Sequence, residues 1–254
     1  MTHRAMERRA RCVNGHQVRV DSGFIPDRVS IISRHGGSTA KIMNVLALDT
    51  ASPLPSVSLL CENVVSSQAL SADRRSSEEL LPALAALLHR LGKQLTDFAR
   101  IAVCTGPGSF TGLRVGMATA WGLSRGSGVA VEGVSTLEAL AEAARGSASD
   151  RVATAMDAGR GEVIVASFDI AGPRSAVRSP AERVSREEAR RRVQGLPLAV
   201  IPSDLLDIPS IPISTPLSAA LAQAVARAPR ASGPLETTAI YSRPSAAEEK
   251  HGAA

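Results

Sequence analysis

The segment CTGPGSFTGLRVG, residues 104–116, has the composition of a loop whose backbone amides could hold an anion. Three standard motifs can be tested against it. A P-loop needs a lysine next to its last glycine, and no lysine follows Gly112. The dinucleotide fingerprint needs its third glycine where Thr111 stands, and a nucleophile elbow needs a glycine in place of Pro107. The segment matches none of these motifs; its loop consists of Gly106, Pro107, Gly108, Ser109, Phe110 and Thr111.

Two aspartates stand at the carboxyl ends of predicted apolar strands, Asp49 in LALD and Asp157 in TAMD. Carboxylates in a cleft can hold hydrated Mg²⁺ together with a nucleotide phosphate, so Asp49, Thr50 and Asp157 are candidates for weak nucleotide binding. The same aspartates can instead cap the amides of the turns that follow them. On the sequence alone, the turn role is the better supported interpretation.

Other catalytic groups are poorly represented in the sequence. The five histidines never fall three to five residues apart and none has a cysteine at ligand spacing, so we predict no metal site. No carboxylates form an identifiable acid/base pair. Three cysteines without CxxC spacing indicate a reducing, cytoplasmic compartment. Neither a membrane span nor a secretory signal is predicted.

After the glycine-rich loop, small residues recur at every fourth position of a predicted helix, at Gly112, Gly116, Ala120, Ser124 and Gly128. Such a face lets another helix approach closely. A leucine-rich helix predicted over residues 78–91 is a natural partner for it. Periodicity alone leaves internal packing and an association surface equally open.

The elements around these residues form two series that each open with strands and close with helices. The pattern predicts strands over 44–49, 56–61, 63–69, 100–104, 129–134, 152–157 and 162–170, and helices over 78–91, 111–125 and 217–228. Capping boxes at Ser135 and Ser185 predict two further helices. This order is typical of an α/β protein with two lobes, over residues 43–145 and 146–254.

The positive charge of this chain of 254 residues is confined to its beginning. Residues 1–42 carry eight of the 29 basic and three of the 24 acidic groups, so the remaining residues have no net charge. Direct binding of RNA by the core is therefore not favoured. We expect residues 1–42 to be a basic, disordered extension or to precede a true start at Met43.

Five segments resemble the TsaB (YeaZ) family: MNVLALDTAS (43–52), LLPALAALL (80–88), GPGSFTGLRVG (106–116), GVSTLEALA (133–141) and MDAGRGEV (156–163). A weaker similarity lies at residues 240–243. The resemblance implies a two-lobed actin/Hsp70/sugar-kinase-like (ASKHA) fold in which each lobe is a mixed sheet with helices. It also implies a role in making threonylcarbamoyladenosine beside the anticodon of tRNA.

TsaB-like proteins are the non-catalytic partner of TsaD, a paralogue that carries the metal and the transferase chemistry, while TsaE supplies ATPase activity. The resemblance therefore implies a TsaD-like partner, a TsaE-like ATPase and contact with tRNA through the complex. It implies no intrinsic cofactor, with ATP and Mg²⁺ acting at the level of the complex. The alternatives are an ATP-dependent kinase or ATPase using Asp49 and Asp157, and a glycoprotease-like peptidase.

In that family, the two helices of the first lobe form the surface that binds TsaD or a second copy. Transferred to this sequence, the expected contacts are Leu80, Leu84, Leu87, Gly112, Arg114, Gly116 and Ala120. With the resemblance added, association is favoured over internal packing for the small-residue face. A leucine at Gly112 is then expected to abolish binding of the partner.

Overall fold

A computed structural model of the chain describes residues 43–72, 76–148 and 150–229, and in addition the backbone of four short strands within residues 12–34. The expectations for the rest of residues 1–42, and the similarity at residues 240–243, lie outside the described residues. The predicted lobe boundaries stay a prediction.

Thirteen strands are assigned in the described part of the chain. They are β1 (Cys12–Val13), β2 (His16–Gln17), β3 (Arg19–Val20), β4 (Ile31–Arg34), β5 (Val45–Asp49), β6 (Ser56–Cys61), β7 (Val64–Ala69), β8 (Arg100–Cys104), β9 (Ala130–Val134), β10 (Arg151–Gly159), β11 (Glu162–Asp169), β12 (Ala176–Ser185) and β13 (Leu198–Ile201). The helices are α1 (Ser76–Leu91), α2 (Phe110–Ser127), α3 (Thr136–Ala143), α4 (Arg186–Val193) and α5 (Leu217–Arg227), with a 3₁₀ turn at Leu95–Asp97.

The first sheet has the strand order β3-β4-β7-β6-β5-β8-β9. The strands β5, β8 and β9 run parallel, and β6 and β7 pair antiparallel with their neighbours. β5 is buried along its whole length because it lies between β6 and β8, with packed helices on both faces. A central strand of this kind explains why its sequence is a continuous apolar run.

The second sheet has the order β12-β11-β10-β13, in which only β10 and β13 are parallel. The predicted hairpin of β10 and β11 is confirmed. β12 was not predicted, because almost all of its side chains are exposed and its sequence lacks the apolar alternation of a half-buried strand. β13 was also missed, since four residues are too few for a periodic signal.

The elements form layers around three apolar clusters. α1 and α2 pack on the outer face of the first sheet. α3 and α5 lie between the two sheets, and α4 covers the outer face of the second sheet. Although α5 comes last in the described chain, it packs on β5, β6 and β8 of the first sheet. The core between the sheets therefore draws on both halves of the sequence.

Residues at the ends of α2 and α3 cap these helices in the way that their types favour. The side chain of Ser109 accepts a hydrogen bond from the amide of Gly112 at the start of α2, and Gly128 ends this helix in a left-handed conformation. Ser135 caps α3 by accepting from the amide of Glu138. The predicted helix α2 begins and ends within two residues of its observed bounds.

Candidate functional site

The glycine-rich loop and the start of α2 pack directly on the turn that follows β5. A Cβ at Gly112 would lie 1.8 Å from the carbonyl oxygen of Thr50, and one at Gly108 would lie 2.2 Å from the carbonyl oxygen of Ala51. A Cβ at Gly116 would lie 2.4 Å from Oγ1 of Thr50. The glycines are therefore required by close approach of two backbones within the chain itself.

Hydrogen bonds fix this contact. Oγ1 of Thr50 donates to the carbonyl of Gly112 over 2.6 Å, and the amide of Ser109 donates to the carbonyl of Ala51 over 2.8 Å. The amide of Thr136, at the start of α3, donates to the carbonyl of Gly106 over 2.7 Å. Three of the segments that carry the family resemblance thus meet in one structural unit. The amides of Ser109 and Gly112 already have partners in it, so neither is available to an anion in this conformation.

Asp49 lies at the centre of the same unit and is fully buried. Its Oδ1 accepts from the amides of Ala51 and Ser52 at 3.1 Å each, and its Oδ2 accepts from the hydroxyl of Ser52 at 2.5 Å. Burial raises the pKa of Asp49 above its ordinary value, and burial together with the nearby Asp49 raises the pKa of the Cys104 thiol. Both oxygens of the Asp49 carboxylate therefore accept hydrogen bonds from within its own turn.

Asp157 lies on the second sheet and is exposed. Its Oδ1 accepts from the amide of Gly159 over 3.0 Å, at the bulge where β10 turns into β11. Both candidate aspartates therefore cap turns, as the preferred interpretation of the sequence predicts. Binding of a nucleotide by Asp49, Thr50 and Asp157 stays a prediction.

Most of the predicted partner contacts on α1 and α2 are buried inside the chain. Leu80, Leu84 and Leu87 are at most 3 % exposed, and Ala120 is fully buried beside them. Gly112 and Gly116 face the turn after β5. In this arrangement, these six residues pack inside the chain. Their contact with a partner, and the binding of a partner by α1 and α2, stay predictions.

The exposed residues of α1 and α2 are different ones. Arg114, the remaining predicted contact, is exposed, and its guanidinium stacks 3.9 Å above the ring of Phe110. Leu81 and Trp121 are also exposed, by 53 % and 37 %. Their large apolar side chains were not singled out from the sequence, because helical periodicity does not tell which flank of a helix is covered.

A set of six charged side chains, four of them buried and two partly buried, was missed altogether. It is called the ion cluster below and consists of Glu132, Glu138, Glu142, Arg145, Arg174 and Arg227. Two glutamates of α3 lie four residues apart on an otherwise apolar helix, which indicates that cations must come from elsewhere in the chain. The sequence could not show which arginines these are. Among the residues that the structure describes, no group of three His, Cys, Asp or Glu could hold a metal ion, and no helix is long and apolar enough to cross a membrane.

The role of Asp49 in its turn can be tested by two substitutions. Asp49→Asn retains an acceptor for the two amides and removes a buried charge, so we expect a free energy of unfolding within about 1 kcal/mol of wild type at neutral pH. Asp49→Ala leaves the amides of Ala51 and Ser52 unpaired and should cost about 3 kcal/mol. Urea unfolding followed by circular dichroism measures both.

The pH dependence of the same comparison follows from the raised pKa of Asp49. The folded state binds the proton more tightly than the unfolded state, so wild type should gain stability relative to Asp49→Asn as the pH falls from the folded pKa to the ordinary value of 3.8. If Asp49→Asn and Asp49→Ala lower the free energy of unfolding equally at every pH, the turn role is contradicted.

Known proteins resemble this chain both in sequence and in fold. The family model described as "TsaD: tRNA N6-adenosine threonylcarbamoyltransferase" matches residues 60–199. The tRNA threonylcarbamoyladenosine biosynthesis protein TsaB of Escherichia coli (strain K12) is 39 % identical over 127 residues, which are 50 % of this chain and 55 % of that protein. TsaB of Haemophilus influenzae is 36 % identical over 122 residues, 48 % of this chain and 52 % of that protein. The chain thus spans about half the length of these curated relatives.

Solved structures extend the likeness over more of the fold. YeaZ from Pseudomonas aeruginosa superposes with a TM-score of 0.64 at 24 % identity, covering 79 % of this chain and 100 % of that one. The predicted fold class, a two-lobed α/β fold of the actin/Hsp70/sugar-kinase type with a mixed sheet in each lobe, is confirmed. The relatives named TsaB and YeaZ support an assignment to the TsaB (YeaZ) proteins, and the chain belongs to the family that the TsaD model describes.

Proposed function

We propose that this chain is a subunit of the machinery that makes threonylcarbamoyladenosine in tRNA, and that it supports a TsaD-like transferase by binding it rather than by performing the transfer. The names of its TsaB relatives and of its family model support this role. The structural observation that carries it is an exposed apolar face on α1 and α2, where a partner can be bound.

This face is called the helix face and consists of the outward residues Leu81, Ala85, Ala118, Trp121 and Gly122. α1 and α2 both pack on the outer side of the first sheet and contact each other, so these outward residues lie on neighbouring helices. A Cβ at Gly122 would meet nothing within 4 Å. Large apolar side chains beside small residues offer a partner both an anchor and room for close approach.

The remaining partners follow from the same proposal. A TsaE-like ATPase joins the complex, tRNA is contacted through the complex, and ATP with Mg²⁺ acts at that level. A second copy of this chain competes for the helix face when the TsaD-like protein is absent. The protein works in the cytoplasm, where its buried cysteines stay reduced.

A kinase or ATPase role is less well supported. It requires Asp49 to reach Mg²⁺, but the carboxylate is buried and accepts three hydrogen bonds from its own turn. A glycoprotease-like activity requires a nucleophile or a metal site, and the described residues offer no cluster of metal ligands.

The test is calorimetric titration of the full chain into the TsaD-like protein of the same genome. Trp121→Asp and Leu81→Asp place a charge on the helix face, and each should weaken binding about 30-fold or more, as expected for anchor residues. The matched control is Val177→Asp on β12, which is 61 % exposed and lies on the other sheet.

Binding that all three variants retain would contradict the helix face, and no binding by the wild type would contradict the partner. Threonylcarbamoyl transfer to tRNA by the TsaD-like protein should also fall in proportion to lost binding. Transfer that is the same with and without this chain would refute the supporting role.

A further inference from the structure

The ion cluster lies where the two sheets and the two central helices meet. Glu132 belongs to β9 of the first sheet, Glu138 and Glu142 to α3, and Arg227 to the last turn of α5. Arg174 lies in the loop over residues 170–175 that joins β11 and β12 of the second sheet. The cluster therefore connects the consecutive elements β9 and α3 to a loop and a helix end that lie farther along the sequence.

Arg174 forms the first half of the cluster and is 8 % exposed. Its Nη1 donates to the carboxylate of Glu132, and its Nε donates to Oε1 of Glu138 over 2.7 Å. Its Nη1 also donates to the carbonyl of Ala228, just beyond α5, over 3.1 Å. The side chain of Arg174, in a loop of the second sheet, is thus hydrogen-bonded to β9 of the first sheet, to α3 and to the residue after α5.

Glu142 forms the second half, and its side chain is fully buried. It accepts from Nε of Arg145 over 2.8 Å, from Nη2 of Arg227, and from the amide of Ser175 over 2.6 Å. Burial by itself would raise the pKa of Glu142, but these donors outweigh it and lower the pKa. Glu142 is therefore held as a carboxylate among cations.

The loop over residues 170–175 is held by its backbone as well. Arg145 donates to the carbonyls of Ile170 and Gly172, and Arg227 donates to the carbonyl of Pro173 over 2.9 Å. Since Arg145 follows α3 and Arg227 ends α5, the loop is hydrogen-bonded to the ends of both central helices. Hydrogen bonds are directional, so each of them requires one position of the loop relative to the helices.

We propose that the ion cluster is an interlobe lock, which holds the two sheets in one fixed orientation so that the chain acts as a rigid body and not as a hinged pair of lobes. An apolar contact tolerates sliding, whereas charge-assisted hydrogen bonds between buried groups do not. Three carboxylates and three guanidinium groups balance, so the lock leaves no net charge in the interior.

Stability alone does not explain such a cluster. Buried ion pairs often stabilise a protein no better than apolar side chains of the same volume, because desolvation offsets their attraction. What they supply is geometry, since a displaced sheet would leave buried charges without partners. The inference concerns the isolated chain and does not depend on the proposed partner.

The test measures the distance between the lobes in the full chain. Spin labels are placed on cysteines that replace Leu54, in the turn after β5, and Val177, on β12, which are 62 % and 61 % exposed. Cys12→Ser removes one competing thiol, and Cys61 and Cys104 are buried. Pulsed electron paramagnetic resonance should give one narrow distance distribution.

The lock is removed by the triple variant Glu132→Gln/Glu138→Gln/Arg174→Met, which leaves none of these three charges in the interior. We expect a broader distance distribution, and amide exchange at least tenfold faster in residues 170–175 and in the last turn of α5. The matched control is Arg192→Met with Glu188→Gln, which removes an exposed ion pair on α4. It should leave both measurements unchanged.

A folded triple variant with the wild-type distance distribution and exchange rates would overturn the proposal, as would a wild-type distribution that is already broad. If circular dichroism shows that the triple variant does not fold, Arg227→Gln decides by the same two measurements. That variant frees the carbonyl of Pro173 but leaves Glu142 paired with Arg145.

Discussion

Gly112→Ala should be among the most damaging single substitutions in the chain, with a loss of about 3 kcal/mol or more in the free energy of unfolding. The added Cβ would lie 1.8 Å from the carbonyl oxygen of Thr50 and 2.8 Å from its carbonyl carbon. Both are backbone atoms, so they cannot give way as a flexible side chain can. The turn after β5 and the start of α2 must separate, and the hydrogen bond from Thr50 to Gly112 is then lost.

Gly122→Ala provides the matched control on the same helix. A Cβ there meets nothing within 4 Å, so the better helix propensity of alanine should add about 0.5–1 kcal/mol. Denaturant unfolding of both variants, followed by circular dichroism, measures the difference. A Gly112→Ala protein within about 1 kcal/mol of wild type would show that the close contact does not form.

The result also determines how variants at Gly112 can be used. The sequence favours Gly112→Leu as a test of partner binding, because it adds bulk to a small-residue face. The structure places that face against the turn after β5, so the leucine would disrupt the fold of the chain itself. Substitutions of Trp121 or Leu81 test the partner without this complication, since both side chains are exposed.

Arg174→Met should destabilise the protein by about 3–5 kcal/mol, because it leaves Glu132 and Glu138 buried without their shared cation. The two carboxylates are 1 % and 5 % exposed and cannot recover their hydration in the folded state. The loss should be partly reversed when both glutamates are also replaced by glutamine, since the two buried charges that Arg174 balanced are then removed.

Thermal and urea unfolding of the single and triple variants measure this reversal. Arg192→Met is the control, because its ion pairs with Glu182 and Glu188 are solvated and screened and so should contribute little to stability. Similar losses for Arg174→Met and Arg192→Met would show that the ion cluster is solvated in solution, contrary to the structure.

Local signals in the sequence were sufficient for most elements and for the roles of the two aspartates. The continuous apolar run of β5 and the leucine spacing of α1 were each interpreted correctly, since each depends on neighbouring residues only. Asp49 and Asp157 were assigned to turns for the same reason, as their partners lie two or three residues away. β12 was missed because an exposed edge strand has no apolar alternation.

The family, the α/β fold class and the small-residue face of α2 could all be predicted from the residues alone. What this face touches depends on the packing of distant segments, because Gly112 and Thr50 are 62 residues apart and their contact leaves no periodic pattern. The same packing brings Arg174 to Glu132 across 42 residues and places α5 on the first sheet. Contacts between distant segments depend on how the layers pack, and a local pattern of residue types carries no record of that packing.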